Sequence, residues 1–268
     1  MKAALLQMVS SCSVTDNLDQ AAMLLAQAAS QAAELAVLPE YFCLLGHRDT
    51  DKLDIAETFG DGPIQNRLAQ MARQHRVCLV AGSMPLRIEA DPLHLRNACL
   101  VFNPQGVCVA RYDKIHLFHF DNGQERYDER VVLQAGDTPV CFDLPSCDGH
   151  TWRVGLSICF DVRFPSLYQR LCAMGAELLL VPSAFTHTTG SAHWEVLMRA
   201  RALDNLAWVG AAAQAGTHEN GRQTWGHSMW VDPWGQVVAV QDSGPACVMA
   251  DLSINLLHQR RQQLPAIV

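Results

Sequence analysis

Apolar and polar positions along the chain change period many times, and each change marks an element. KAALLQMV (residues 2–9) and LAVLP (35–39) are short, nearly continuous apolar runs of the kind buried strands show, the second stopped by Pro39. Between them, TDNLDQAAMLLAQAASQAAE (15–34) repeats its apolar residues at helical spacing, with Thr15 as the predicted N-cap. The alternation continues with a helix over 62–76 and a strand over 77–85. NACLVFNPQGVCVARYDK (97–114) then reads as two strands joined by an Asn-Pro-Gln-Gly turn. After a loop-rich middle, strands are predicted over 151–158, 177–185, 207–216 and 246–252. Helices are predicted over 164–176 and 191–205, the second with Glu195 and Arg199 spaced to pair on one face. Residues 226–240 read as two strands that turn at Asp232-Pro233-Trp234-Gly235. The tail LHQRRQQLPAIV (257–268) fits either an ordinary surface extension or an arm to a partner subunit.

Strands alternating with helices, with no repeat, linker or low-complexity segment, predict one α/β domain over residues 1–268 whose sheets are covered by helices. Composition changes this little: 49 % apolar and 18 % charged residues describe an ordinary globular chain. The formal charge of −7 and the lack of any basic run exclude nucleic acid and an anionic membrane surface as the main partner. No run of about 18 apolar residues predicts a membrane span. The apolar start covers only about nine residues, so it reads as a first strand and not as a signal peptide. Ten cysteines with no C-x-x-C pair suit a reduced, cytoplasmic protein with mostly buried thiols.

Three stretches put a chemically capable residue just past an apolar run: AVLPEYF with Glu40, VARYDKIHLF with Lys114, and VGLSICFDVRF with Cys159. In α/β sheets, sites collect at the carboxyl ends of strands, where loops are free to present side chains. A thiol that attacks an amide needs a base for its proton and donors for the oxyanion. Glu40 fits the base, Lys114 the cation beside the oxyanion, and the Phe160 backbone N–H a second donor. The helix after Cys159 adds a partial positive charge that favours the thiolate. Each residue also has a plainer reading as a small core thiol, a loop acid or a surface cation, and Cys12 lies between a strand and a helix as well. A Cys–His hydrolase with His116 or His193 as base, and a catalytically silent binding subunit, complete the alternatives. The H-x-x-H of His116 and His119, with His187, His193 and His227 elsewhere, lacks the pattern of a zinc site. No metal and no other cofactor is expected. Trp225, Trp230 and Trp234 read as core and subunit packing, not as a base-stacking platform.

LPEYF, YDKIHLF and ICFDVRFP, in that order, resemble the three signatures of the nitrilase (carbon–nitrogen hydrolase) superfamily, and the resemblance runs from about residue 3 to residue 255. It implies a four-layer α-β-β-α sandwich, commonly paired across two subunits. It also implies Glu40 as general base, Lys114 as the oxyanion-stabilising lysine and Cys159 as nucleophile. A second family glutamate matches Glu129 in YDERVVLQAGD, with Glu125 and Asp128 as close competitors. Cys-Phe-Asp stands where true nitrilases usually show Cys-Trp-Glu, which points to an amidase branch in which Phe160 serves through its backbone. Residues 182–205 and 211–239 resemble the branch that hydrolyses deaminated glutathione, with the omega-amidase branch as its neighbour. On that resemblance Arg163 binds a substrate carboxylate, its structural alternative being a pair with a nearby acid, and Ser183, Phe185 and Thr189 line the pocket. The implied activity is a cofactor-free amidase acting through a Cys thioester on a small amide with a carboxylate or 2-oxo acid end, as a homodimer or higher homo-oligomer. Deaminated glutathione would give 2-oxoglutarate and cysteinylglycine.

Overall fold

The computed structural model describes residues 1–123 and 125–266. Two sheets lie back to back. The first runs Ala246–Asp251, Lys2–Gln7, Leu35–Val37, Cys78–Val80, Asp91–Phe102, Met84–Ile88, with Cys108–Asp113 also paired to Asp91–Phe102. The second runs Val237–Gln241, Ser228–Val231, Trp208–Ala211, Leu178–Leu180, Thr151–Leu156, Val140–Pro145. In each, three adjoining strands are parallel and the flanking ones antiparallel.

Alternation along the strands divides the core. Ala3, Leu5, Leu35, Val37, Cys78 and Val80 face the second sheet and join Val154, Leu156 and Trp230 in one cluster. Their neighbours Ala4, Leu6, Ala36 and Leu79 face outward and are covered by the helices Val14–Ser30 and Pro63–His75, through residues such as Leu25 and Leu68. On the far side, helices Pro165–Ala173 and His187–Asn205 cover the second sheet with Leu167, Leu171, Trp194 and Met198. A strand buried on both faces reads as a continuous apolar run, which is why LAVLP shows no alternation. The layers are α-β-β-α, as the resemblance implies.

Several boundaries differ from the sequence reading. The first helix is capped by Ser13, whose hydroxyl accepts from the Asp16 N–H, and not by Thr15; it ends at Ser30. The run 77–85 breaks at Gly82, whose φ of +50° a Cβ would not tolerate, because it would run into the carbonyl oxygens of Leu38 and Pro39. Helix His187–Asn205 starts a turn earlier than expected, capped by Thr186. The loop-rich middle hides the strand Val140–Pro145. The tail forms the helix Ile254–Gln263 and docks on its own chain: Leu257 is buried, and Arg261 donates to the carbonyls of Leu206 and Ala176. Ile267 and Val268 lie outside the described residues. Of the tryptophans, Trp230 is core, Trp225 is half-buried and Trp234 is 46 % exposed. Among the described residues, no helix is long and apolar enough to cross a membrane.

Candidate active site

The strands Leu35–Val37, Cys108–Asp113 and Thr151–Leu156 each hand over, at their carboxyl ends, to one of the three residues singled out in the sequence. Glu40 sits in the turn after Pro39, held by the close approach of Gly82 and by Ser83, whose hydroxyl accepts from the Tyr41 N–H at 3.1 Å. Lys114 directly follows its strand, and its N–H donates to the Asn97 carbonyl at 2.9 Å. Cys159 opens a 3-10 turn, Cys159–Arg163, with a left-handed φ of +47° and its N–H donated to the Pro182 carbonyl at 2.9 Å.

The turns converge. Lys114 Nζ donates to Glu40 Oε1 at 2.8 Å and to both oxygens of Glu129 at 3.0 and 2.8 Å. Glu40 also accepts from Asn97 Nδ2 at 3.1 Å and, through Oε2, from the Ala184 N–H at 2.9 Å. Glu129 further accepts from the Tyr41 hydroxyl at 2.5 Å and the Phe118 N–H at 2.7 Å. Of the three competing acids it is therefore Glu129 that meets Lys114; Asp128 pairs with Arg130, and Glu125 accepts from Thr188. Glu40, Lys114, Glu129 and Cys159 line one pocket, with Phe160, Arg163, Phe185 and Thr189 on its wall.

Burial sets the electrostatics. Glu40 is raised above the ordinary glutamate pKa, by desolvation first; Lys114 opposes that rise and Glu129 adds to it. Desolvation pulls the Lys114 ammonium down, but Glu129 and then Glu40 more than offset it, so it stays charged. The Cys159 thiol is pushed well above its usual range by desolvation and then by the Glu40 charge, with Lys114 only partly countering. The expected pull of the following N–H groups toward the thiolate is thus opposed by burial and by Glu40. The turn that Cys159 opens is a short 3-10 segment, not the start of a long helix. The shift favours the protonated thiol, which lies beside the Glu40 carboxylate.

Arg163 has no acid partner among the described residues. Its guanidinium meets His193 Nδ1 at 3.2 Å and lies over the Phe160 and Phe185 rings at 5.9 and 5.4 Å. Burial lowers its pKa. The pairing with a nearby acid is thus absent there. Ser183 departs from expectation: it is fully buried, its hydroxyl donates to the Val181 carbonyl at 3.0 Å, and it is not among the pocket's lining residues. Neither histidine of the Cys–His alternative lines the pocket; His116 is bound to Asp161 at 2.7 Å and stacked on Phe164, and His193 meets Arg163. Cys12 lies elsewhere, its ligand atom grouped with those of His47 and Glu219 within 4.8 Å of one another near the surface.

Sequence reasoning missed Tyr41 and Asn97, which fix the two carboxylates, and Asp161. The buried Asp161 carboxylate accepts from the Ile158 N–H, the Tyr112 hydroxyl and the His116 N–H, at 2.9, 2.7 and 3.0 Å. It therefore ties the turn of Cys159 to the segment of Lys114. An acid two places past the cysteine, flanked by Phe160 and Val162, was the available signal.

A buried thiol, a carboxylate and an ammonium gathered in one pocket of such a sandwich are the parts of an acyl-transfer hydrolase. The chain belongs to the carbon–nitrogen hydrolase family, whose model matches residues 2–262. It is 38 % identical over 267 residues to the deaminated glutathione amidase of Synechocystis, covering 99 % of this chain and 96 % of that protein. It is 39 % identical over 264 residues to omega-amidase NIT2 of Homo sapiens, covering 98 % and 92 %. The crystal structure of the C. elegans NitFhit protein matches with a TM-score of 0.90 at 36 % identity, over 98 % of this chain and 63 % of that one. The chain therefore spans less than two thirds of NitFhit. Membership of this family makes it an amide-hydrolysing enzyme.

Proposed function

We propose that the protein is a single-domain amidase that cleaves deaminated glutathione to 2-oxoglutarate and cysteinylglycine through a thioester on Cys159. The observation that carries the reading is the Cys159 thiol beside Glu40, in a pocket where Lys114 is charged and Arg163 has no acid partner among the described residues. Cys159 Sγ attacks the amide carbon while Glu40 takes the thiol proton. The oxyanion is met by Lys114 Nζ and the Phe160 N–H. As the tetrahedral species collapses, the C–N bond breaks and Glu40 returns its proton to the leaving nitrogen. Water then attacks the thioester, Glu40 accepts its proton, and the expelled thiolate recovers it. Glu129, itself held by the Tyr41 hydroxyl, keeps the lysine in place throughout. Arg163 grips the carboxylate of the 2-oxo acid with its planar fork, fixing the amide over Cys159.

The reading includes a cytoplasmic setting, supported by ten unpaired cysteines. It also includes pairing with a second copy of the chain, supported by Val196, Leu203 and Trp234 lying exposed on or beside the helix His187–Asn205.

Release of cysteinylglycine from deaminated glutathione, compared with release of ammonia from 2-oxoglutaramate at equal concentration, tests the substrate. Faster turnover of deaminated glutathione is expected. A strong preference for 2-oxoglutaramate moves the assignment to an omega-amidase, which the similar identity to NIT2 keeps in view. Arg163→Ala is expected to cut kcat/KM for carboxylated amides about 10–100-fold relative to uncharged ones, the size of a lost charge-assisted contact; an equal loss for both would leave Arg163 a structural residue.

Glu40 accepts a proton only as a carboxylate, and its pKa is raised. The acid limb of kcat/KM is therefore expected to fall off at a pH above the ordinary glutamate value of 4.5. Glu40→Gln should abolish that limb and lower the rate about 10²–10⁴-fold. A limb unchanged in Glu40→Gln would assign the proton to another group.

A further inference from the structure

The pocket has a second charged end that the reaction scheme leaves unused. Asp49, Lys52 and Arg222 line the same cavity as Cys159. Lys52 Nζ and Arg222 Nη2 both donate to Asp49 Oδ1, at 3.2 and 2.9 Å. One carboxylate beneath two cations leaves a positive charge over. The Lys52 side chain is only 11 % exposed and its ammonium also lies 4.8 Å from the centre of the Tyr41 ring. The other rim acid, Asp128, is taken up by Arg130, whose Nε and Nη2 donate to its two oxygens at 2.7 and 2.8 Å. Glu125 lines only the groove that leads on from the pocket, where it accepts from Thr188.

Three rings separate this end from Arg163. Arg163 lies over Phe160, Phe160 meets Phe118 at 5.2 Å, Phe118 meets Tyr127 at 5.8 Å, and Arg222 lies over Tyr127 at 5.6 Å. The two guanidiniums thus stand at opposite ends of one aromatic wall, and all five residues line the pocket. From the Arg222 end the pocket continues into the groove lined by Tyr127, Gln223 and Asn220.

We propose that Lys52 and Arg222, held together by Asp49, form a subsite for a carboxylate on the leaving amine. This rests on the reading above, in which Arg163 holds the acyl part. The substrate class is then an amide with an acid at both ends, stretched along the aromatic wall with its scissile bond over Cys159. An extended acid of three residue lengths spans about 10 Å between its terminal carboxylates, to be set against steps of 5.2 and 5.8 Å between successive ring centres along the wall. An amide that releases only ammonia is held at one end alone. The groove beyond Arg222 gives a departing dipeptide its exit.

Binding to the Cys159→Ala protein separates this from turnover. Deaminated glutathione and its C-terminal carboxamide differ only in the charge at the leaving end, and their affinities are measured by titration calorimetry. The acid is expected to bind about tenfold more tightly, as a charge-assisted contact of ordinary strength gives. Arg222→Gln, and separately Lys52→Gln, each added to Cys159→Ala, should shrink that difference while leaving the carboxamide's affinity unchanged. Equal affinities for acid and carboxamide overturn the subsite, a comparison that needs no rim variant to fold. So does a variant that weakens both ligands equally, since that marks the ion pairs as purely structural. Turnover by the native protein decides the other question. Discrimination in binding without hydrolysis of deaminated glutathione would refute the proposed reaction and keep the subsite; hydrolysis without discrimination would do the reverse.

Discussion

Cys159→Ala is expected to bring hydrolysis to the level of the uncatalysed reaction, a fall on the order of 10⁴-fold or more, while the protein stays folded. The substitution removes one buried sulfur from a turn whose shape is fixed by others: Cys159 N–H to Pro182 and Asp161 to Ile158, Tyr112 and His116 all survive it. Release of amine or ammonia reads the first half of the expectation and thermal unfolding the second. Cys12→Ala serves as the control and should keep near-normal rates. A dead Cys12→Ala beside an active Cys159→Ala would relocate the nucleophile.

Lys114→Met is expected to lose activity about 10²–10³-fold, the effect of removing an oxyanion donor, and to destabilise the fold as well. Without the ammonium, Glu40 and Glu129 face each other across a buried site with no cation between them. Breaking such a buried group by removing one partner costs about 3–5 kcal/mol. The pH dependence follows from the direction of the Glu40 shift. Its folded pKa is already raised, and losing the lysine raises it further. A carboxyl whose folded pKa lies above its unfolded one contributes stability below the unfolded value and loses it as pH rises through the folded value. The deficit of Lys114→Met relative to the parent should therefore be largest near neutrality and shrink toward pH 4–5, the ordinary glutamate range. Thermal unfolding at both ends of that range measures it. A constant deficit would mean that packing, and not charge, is what the lysine supplies.

The residues at the centre of the pocket were visible in the sequence because each sits in a short string with its own character: an acid after Pro39, a lysine after a strand, a cysteine between a strand and a turn. What holds them was not visible. Asn97 reaches Glu40 only because the strand Asp91–Phe102 pairs with Cys78–Val80, which pairs in turn with Leu35–Val37. That is a fact of strand order, and no local string carries it. The rim of Lys52, Asp49 and Arg222 joins segments remote in the chain for the same reason. Ser183 was misjudged because the direction of one side chain depends on the local bridge to Ala213 and on a backbone acceptor at Val181. The terminal helix escaped notice because Ile254–Gln263 has few apolar residues, and part of its attachment is made by a guanidinium on two carbonyls. The environment of Cys159 was only half legible: the N–H groups that follow it can be seen in sequence, whereas the burial and the carboxylate that raise its pKa are supplied only by the fold.

The raised pKa of Cys159 bears on more than the reaction itself. Peroxides and alkylating agents attack thiolates far faster than thiols. A bystander electrophile, arriving without an amide, meets a neutral and almost wholly covered sulfur. If Cys159 is the nucleophile, the desolvation that raises its pKa is expected to slow its reaction with oxidants relative to an exposed thiol such as Cys147, and alkylation rates of the two thiols measure the difference.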